Sequence, residues 1–243
     1  MRYLIVSLLL LIASPCDAAI QGCRNFDDAN DEVDWGVVND TTTGNRIVCA
    51  WVKMTSDAAG DIILGKKSNT LTSTAGYMMQ QDSGGVVGWY ISDATDFVTS
   101  TGTTNIDSAW HHVCGQWIAS GENTNLFVDG IQEDADTGGG AIDSLTNAFE
   151  FAAGEDGGEN GDANGVMCMF STAGQSRADW EIMETRFQVE GMGATSTGAT
   201  IMIVPGWTGA TENDIYNSID GIVSNSAALT DGPPIMQGWG YSA

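Results

Sequence analysis

The feature that most constrains the fold is the recurrence of short apolar runs, each bounded by Gly, Asp, Asn, Ser or Thr. Runs of this length are typical of β-strands and are too short for most helices. The predicted strands are Arg46–Met54, Asp61–Gly65, Gly76–Gln81, Val86–Ser92, Trp110–Ile118, Asn125–Val128, Ala148–Ala152, Gly165–Ser171 and Ala199–Val204. Many short strands separated by turn residues predict an all-β, antiparallel sandwich or barrel.

The alternation inside one strand indicates where it lies. In Arg46–Met54, Val48, Ala50 and Val52 share one face, and the residues between them share the other. Both faces are apolar, which predicts an inner strand covered on both sides. Asp129-Gly130, which follows the run LFV and precedes Ile131, predicts a tight hairpin turn because glycine accepts a positive φ.

One segment has helical rather than strand periodicity. Ser176 can cap a helix, and Trp180, Met183 and Phe187 follow at the i, i+3 and i+7 spacing of one helical face. The sequence therefore predicts a single short helix after the last strand of the sandwich. Residues 191–243 then form a small-residue linker, one more strand and a turn-rich, aperiodic tail. That tail packs on the sandwich or serves as a partner-binding arm.

The first residues form a secretory leader. Arg2 precedes the apolar run Leu4–Ile12, and small residues follow up to Ala18. The run is far shorter than the ~20 residues that cross a bilayer. The interpretation is a signal peptide over 1–18, a sandwich domain over 19–190, and a secreted mature chain without a membrane span. The net charge of −24 excludes nucleic acid as a partner, because phosphate binding needs clustered Lys and Arg.

Four cysteines follow the leader: Cys23, Cys49, Cys114 and Cys168. An even count in a secreted chain predicts two disulfides, with three connectivities open. The alternative is buried free thiols, which pack as small apolar residues.

Several motifs, in order, resemble one known family. Asn25–Gly36 (NFDDANDEVDWG), the run IVCAWVK, and AWHHVCGQW followed by NLFVDG are similar to the opening and central strands of laminin-G-like, concanavalin A-like jelly rolls of the secreted and viral kind. Gly165–Ile182 resembles the family's closing strand and short helix. The resemblance covers Arg24 to Phe187. It implies a jelly-roll β-sandwich with one short helix, followed here by a C-terminal extension.

The sequence gives little support for catalysis. His111 and His112 are adjacent on a predicted strand, so they point to opposite faces, and the favoured interpretation is one packed and one near the surface. Glucanases of the resembled fold carry an ExDxE run, which places two carboxylates on one face, and this chain has none. Glu150 is a lone strand carboxylate. No catalytic residue is therefore predicted.

Calcium is the candidate cofactor. Glu155 and Asp156 lie in the Gly-rich loop GEDGGENGDAN, and oxygen-rich segments suit this cation. The resemblance extends to pentraxins, whose calcium ligands lie at the corresponding place, and it adds Asp57 and Asp61 as further candidates. The alternative is a solvated acidic loop.

For a sugar ligand, the candidates are Trp89 and Tyr90, adjacent on one strand, of which one belongs to the core. The first functional hypothesis is a secreted, non-catalytic recognition module that binds carbohydrate or an extracellular protein surface, assisted by calcium. The second is a self-associating structural component of a surface, filament or virion. In that case the tail lies outside its own sandwich, with Ile201, Ile203 and Ile235 unburied. A glycan-active hydrolase is the least favoured.

Overall fold

The computed structural model describes residues 21–26, 32–34, 45–55, 60–66, 75–140, 150–151, 165–173, 199–204, 211–214, 220–224 and 228–231. The strands are β1 (Gln21–Phe26), β2 (Glu32–Asp34), β3 (Arg46–Met54), β4 (Asp61–Lys66), β5 (Ala75–Asp82), β6 (Val86–Asp93), β7 (Phe97–Thr101), β8 (His111–Ile118), β9 (Asn123–Val128), β10 (Ile131–Thr137), β11 (Glu150–Phe151), β12 (Gly165–Ala173), β13 (Ala199–Val204), β14 (Thr211–Asp214), β15 (Asp220–Ser224) and β16 (Ala228–Asp231). A single 3-10 turn, Ala119–Gly121, separates β8 from β9.

The strands pair antiparallel in two sheets. The first sheet has the order β10-β9-β8-β3-β12, with β1 and β13 on the far edge of β12. The second sheet has the order β14-β15-β2-β11-β4-β5-β6-β7. β13 joins the two sheets because it pairs with β12 in one and with β14 in the other. This arrangement confirms the predicted all-β antiparallel sandwich of the concanavalin A-like type.

The predicted strands recur with their boundaries close to the observed ones, and β3 has the predicted limits. Sequence inspection missed β7 and β10, which close one side of the sandwich. β2 lies within Asn25–Gly36, where the resemblance implied an opening strand, and β1 begins before that segment. The predicted helix, the leader over 1–18 and the acidic loop containing Glu155 lie outside the described residues. In the described ranges, no helix has the length and apolar character needed to cross a bilayer.

The turn-rich, aperiodic tail after β13 contains three short strands in its described part. β14, β15 and β16 occur there, and they pair with β13, β2 and β1 respectively. Each is only four or five residues long, so no alternating pattern has room to develop. The C-terminal extension therefore contributes strands to both sheets of its own sandwich.

The β9–β10 hairpin has the predicted turn. Asp129 and Gly130 both have positive φ, 49° and 80°, as a type I′ turn requires. The Asp129 carboxylate accepts a hydrogen bond from the His112 backbone N–H at 2.9 Å and pairs with His111 Nδ1 at 2.7 Å. The turn is therefore fastened to the start of β8.

The core between the sheets is organised around Trp89. Its indole lies directly on Gly115 of the opposite sheet, where any Cβ would overlap the ring. The indole N–H donates to the Gln116 carbonyl at 3.3 Å, which satisfies the one polar group of this buried ring. Tyr77 packs beside Trp89 with the ring centroids 5.6 Å apart. The Arg46 guanidinium lies 5.3 Å above the Tyr77 ring on the other side.

β3 and β8 are buried on their second face as well, as the alternation in β3 predicts. Cys49, Trp51, His112 and Cys114 project away from the Trp89 side, and all are buried. The Trp51 and His112 rings are 5.1 Å apart there. The first sheet is therefore covered on both sides along these two strands.

Two carboxylates of β10 link this edge strand to β7 and to the segment that follows β7. Glu133 accepts hydrogen bonds from the backbone N–H groups of Thr103 at 2.6 Å and Thr104 at 3.0 Å, and from the Thr104 hydroxyl. Asp134 accepts from the Thr101 N–H at 2.7 Å. Edge N–H groups that have no strand partner are thereby satisfied by side chains. Burial alone raises the pKa of Glu133, but the hydrogen bonds from Thr104 and Thr103 outweigh it and lower the pKa.

We predict that Gly115→Ala destabilises the sandwich, because the added methyl group displaces Trp89. Overpacking of this kind costs about 1–3 kcal/mol. The control is Gly121→Ala, where a Cβ meets only the end of the Asn123 side chain. Urea unfolding followed by tryptophan fluorescence measures both variants. Equal stability of the two variants would contradict the close contact between the sheets.

We predict that the stabilisation due to Glu133 depends on pH. Its pKa is lowered in the folded state, so the contribution is full above the unfolded value, near 4.5, and is lost as the pH falls through the folded pKa. Glu133→Gln should therefore cost about 1 kcal/mol at neutral pH and progressively less in acid. The exposed Glu122→Gln is the control, and urea unfolding from neutral to acidic pH is the measurement. If Glu133→Gln lowered the free energy of unfolding equally at all pH values, the negative charge of Glu133 would not be the source of its stabilising effect.

Candidate functional site

The two adjacent aromatic candidates lie on opposite faces of β6, as strand alternation requires. Trp89 is 0 % exposed and faces the opposite sheet. As a sugar platform Trp89 was therefore a wrong candidate, because its ring has no surface that a ligand could reach. Tyr90 is half-buried on the outer face of the second sheet. Of the two predicted ligand residues, Tyr90 is therefore the one whose ring has exposed surface.

Tyr90 belongs to a hydrogen-bonded group on this outer face. Its hydroxyl donates to Asp82 Oδ1 at 2.6 Å, and Gln80 Nε2 donates to the same oxygen at 2.7 Å. Gln80 Nε2 also lies 3.2 Å from the Tyr90 hydroxyl oxygen. The second oxygen of Asp82, Oδ2, takes part in no hydrogen bond within the described ranges and lies over Gly88, where a Cβ would overlap it. The group therefore leaves one carboxylate oxygen with unused hydrogen-bonding capacity among the described residues.

Strand register explains why these side chains meet. Gln80 is directly opposite Gly88 in the β5–β6 pair, and Asp82 is two residues along β5 on the same face. Because Gly88 has no side chain, Asp82 and Tyr90 can reach each other across it. The sequence signal was present in QQD of β5, whose first Gln and Asp share a face. It could be used only once β5 and β6 were aligned.

The electrostatics of the group favour hydrogen bonding over proton transfer. Burial raises the pKa of the Tyr90 hydroxyl well above its usual value, and the hydrogen bond to Asp82 raises it further. Tyr90 is therefore neutral at any physiological pH and remains a hydrogen-bond donor.

β7 extends the outer face. Thr99 is opposite Tyr90 and Thr101 is opposite Gly88, while Phe97 at the start of the strand is 53 % exposed. Phe97 and Tyr90 are diagonal cross-strand neighbours, for which Cα separations of about 7–8 Å are typical. We call this surface the Tyr90 face; its members are Gln80, Asp82, Tyr90, Phe97, Thr99 and Thr101. It combines aromatic surface with a carboxylate, an amide and hydroxyls.

The histidines divide as predicted, with one packed and one near the surface. His111 pairs with Asp129, and His112 is fully buried. Burial lowers the pKa of His112 to about 4, against the opposing effect of Asp129. His112 is therefore neutral and out of reach of solvent, which excludes a role on an external substrate.

Of the four predicted calcium ligands, the structure describes Asp61, at the start of β4. Asp57, Glu155 and Asp156 lie outside the described residues. In the described part of the chain, the one cluster of potential metal ligands is Cys49, His112 and Cys114. Its two sulfur atoms are joined in a disulfide, so they offer no thiolate. No carboxylate cluster joins Asp61 in these ranges, so calcium binding stays a prediction.

The structure confirms one of the two predicted disulfides. Cys49 of β3 and Cys114 of β8 are register partners and are bonded, with their Cα atoms 4.1 Å apart. Cys23 lies on β1 and Cys168 on β12. These strands pair Arg24 with Met167, so the next position in the same register sets Cys23 opposite Cys168.

With this geometry established, comparison with known proteins is informative. Residues 27–182 match the Laminin_G_3 family model, described as the concanavalin A-like lectin/glucanases superfamily. This match spans more than half of the chain and most of the strands described above. No curated protein has detectable similarity to the chain.

Two solved structures have the same fold. The first is a heptameric SAP-like pentraxin from Limulus polyphemus, with 12% identity and a TM-score of 0.56; the alignment covers 86% of this chain and 99% of that one. The second is a protein from Bacteroides ovatus described as carbohydrate-binding, with 15% identity and a TM-score of 0.63. That alignment covers 88% of this chain and 60% of the Bacteroides chain. At these identities the likeness shows the fold alone.

We predict that the oxidised protein contains Cys23–Cys168 in addition to Cys49–Cys114. Directly opposed residues of antiparallel strands have Cα atoms about 4.5–5.5 Å apart, within the range that a disulfide spans. Proteolysis without reduction, followed by mass spectrometry, should recover both linked peptide pairs. Free thiols at Cys23 and Cys168, or their pairing with other cysteines, would contradict the β1–β12 register.

Proposed function

The chain belongs to the concanavalin A-like lectin/glucanases superfamily, and from this premise we propose that it is a non-catalytic module that binds carbohydrate through the Tyr90 face. One observation carries the proposal. Asp82, Gln80 and the Tyr90 hydroxyl form a connected hydrogen-bonded group on the surface of a rigid sheet. The aromatic ring and the polar atoms are thereby presented side by side.

This arrangement suits a sugar because a pyranose has both apolar and polar surface. Its C–H face packs on an aromatic ring, and Tyr90 and Phe97 offer such rings. Its hydroxyls donate and accept hydrogen bonds, and Asp82 Oδ2 accepts while the Thr99 hydroxyl does either. The ring of Tyr90 is held by its bond to Asp82, so little side-chain entropy is lost on binding.

The proposal is a binding rather than a hydrolytic function. Glycosidases need two carboxyl groups about 5–9.5 Å apart, one on each side of the scissile bond. In the Tyr90 face, Asp82 is the one carboxylate, and its neighbours there are amide, phenol and hydroxyl groups. The Bacteroides ovatus protein described as carbohydrate-binding supports the same class of function.

We place this function outside the cytoplasm. The leader-like residues 1–18 and the Cys49–Cys114 disulfide support secretion. Calcium is part of the proposal as a cofactor held by Glu155, Asp156, Asp57 and Asp61, where it would supply a positive charge for ligand oxygens. An extracellular protein surface is the alternative ligand.

The assembly hypothesis receives less support. It expects the C-terminal extension to lie outside its own sandwich, where it could join another copy. Instead, β13, β14, β15 and β16 pair with strands of the same chain. The extension is therefore used within its own fold.

A glycan array tests the proposal. The fluorescently labelled full chain should bind a defined subset of neutral or acidic glycans. Tyr90→Ala and Asp82→Ala should each weaken that binding about tenfold, equivalent to ~1.4 kcal/mol. Ile131→Ala, an exposed apolar residue on the β9–β10 hairpin outside the Tyr90 face, is the matched control and should bind normally.

Repeating the array with calcium and with a chelator separates the two parts of the proposal. Loss of glycan binding in chelator would support calcium as a cofactor. Unchanged binding would contradict the calcium part of the proposal, and the assignment of the ligand to the Tyr90 face would stand. Glycan binding that survives both Tyr90→Ala and Asp82→Ala would contradict the assignment to this face. If no glycan binds under either condition, carbohydrate recognition itself is wrong.

A further inference from the structure

A groove lies on the other sheet, on the outer side of β8, β9 and β10. It is a groove of about 340 Å³, at the small end of the ~300–1,000 Å³ that ligand pockets span. Three amide side chains contribute to its lining: Asn123 and Asn125 come from β9, and Gln132 comes from β10. We call it the amide groove.

The shape of the groove follows from one small residue. Ala135 is directly opposite Asn125, and Thr137 is opposite Asn123, so all four share this face. With only a methyl group at Ala135, a space remains above Asn125. Ile118 of β8 forms part of the opposite wall. The β9–β10 pairing also has a β-bulge between Gln132 and Asp134, beside this gap in the side-chain layer.

A ladder of hydrogen bonds holds the floor of the groove. Gln132 Nε2 donates to Asn125 Oδ1 at 3.2 Å, and Asn125 Nδ2 donates to Gln116 Oε1 at 2.9 Å. Gln116 is 0 % exposed, so the ladder runs from the edge strand into the interior. Asn125 is bonded on both sides, and the orientation of its amide is thereby fixed before any ligand arrives.

Stability alone does not explain this ladder. Within the part of the chain that the structure describes, its inner end leaves the buried Gln116 Nε2 without a hydrogen-bond partner. An unsatisfied buried donor costs about 1–3 kcal/mol, and an apolar side chain at this position would avoid that cost. The residue that the ladder orients, Asn125, is the one at the floor of the groove.

The hydrogen-bonding capacity of the groove suits hydroxyl groups. An amide offers two N–H donors and an oxygen with two lone pairs. The ladder uses one donor and one lone pair of Asn125, and one donor of Gln132. Each residue therefore keeps both a donor and an acceptor. Neighbouring hydroxyls of a sugar, each of which donates and accepts, match such paired groups.

The charge of the groove limits the ligand further. Among the described residues that line it, Asp136 is the one ionisable group, and no Lys or Arg contributes. Phosphate, sulfate and carboxylate groups are bound by Arg and Lys, which this lining lacks. The groove therefore favours neutral polyhydroxylated ligands over anionic ones.

We infer that the amide groove is a second carbohydrate site, which accepts one neutral sugar unit on the sheet opposite the Tyr90 face. The inference rests on the proposed function for its class of ligand, although it uses a different set of residues. Two sites on opposite sheets let a single chain hold two glycans at once. Such a chain can cross-link glycosylated surfaces without forming an oligomer.

The test is NMR of side-chain amide groups in the ¹⁵N-labelled full chain. D-galactose, D-glucose, D-mannose and N-acetylglucosamine are titrated separately, with cyclohexanol as a ring of similar size that lacks neighbouring hydroxyls. At least one sugar should shift the NH₂ resonances of Asn125 and Gln132 in a saturable manner, and cyclohexanol should not. Absence of saturable shifts with all four sugars, or equal shifts with cyclohexanol, would overturn the inference.

Two variants and a control define the site. Ala135→Leu fills the groove without removing any hydrogen bond, and Ala135 is exposed, so the melting temperature should not change. It should abolish the sugar-induced shifts, and Gln132→Ala should weaken binding at least fivefold. Gln80→Ala, on the Tyr90 face, is the matched control and should leave these shifts intact. If the sugar-induced shifts persisted in Ala135→Leu, the assignment of sugar binding to the amide groove would be wrong.

The same variants separate this inference from the proposed function. If the array shows no dependence on Tyr90 but the amide groove responds to sugars, the Tyr90 face is wrong and the groove stands. If the array result is lost in Tyr90→Ala and the groove gives no response, the proposed function stands and the second site is wrong.

Discussion

The contact between Trp89 and Gly115 is the constraint on which the rest of the structure depends. The indole of one sheet occupies the space that a side chain would fill on the other, so the two sheets can approach only with these residues aligned. Once Trp89 faces inward, strand alternation turns Tyr90 outward. The packing that forms the core therefore also decides which aromatic ring is presented to a ligand.

Rigid strands rather than loops carry both proposed sites. The Tyr90 face lies on β5–β7, and the amide groove lies on β8–β10, each held by cross-strand register. The backbone N–H of Thr101 in β7 donates to Asp134 of β10, and the N–H groups of the two threonines just after β7 donate to Glu133 of β10. The Cys49–Cys114 bond ties β3 to β8 in the first sheet. A framework fixed in this way keeps ligand groups oriented in the free protein, which lowers the entropic cost of binding.

The sequence predicted those elements whose apolar alternation is strong, such as β3, and the turn at Asp129-Gly130. It predicted no strand for β10, because IQEDADT is mostly polar and lacks apolar alternation. Asp134 gains its partner from the end of β7 and Glu133 from the segment just after β7, which are contacts between distant parts of the chain. For the same reason, Asp82 and Gln80 were not recognised beside Tyr90 until register placed them around Gly88. Alternation reveals that Trp89 and Tyr90 face opposite ways, but only the position of the opposite sheet decides which of the two is buried.

The most direct measurement of the central claim is a crystal structure of the chain with a bound oligosaccharide selected on the array. The account predicts a sugar ring packed on Tyr90, with a hydroxyl within hydrogen-bonding distance of Asp82 Oδ2. A sugar bound elsewhere, with Tyr90 and Asp82 uncontacted and their mutual hydrogen bond unchanged, would contradict it.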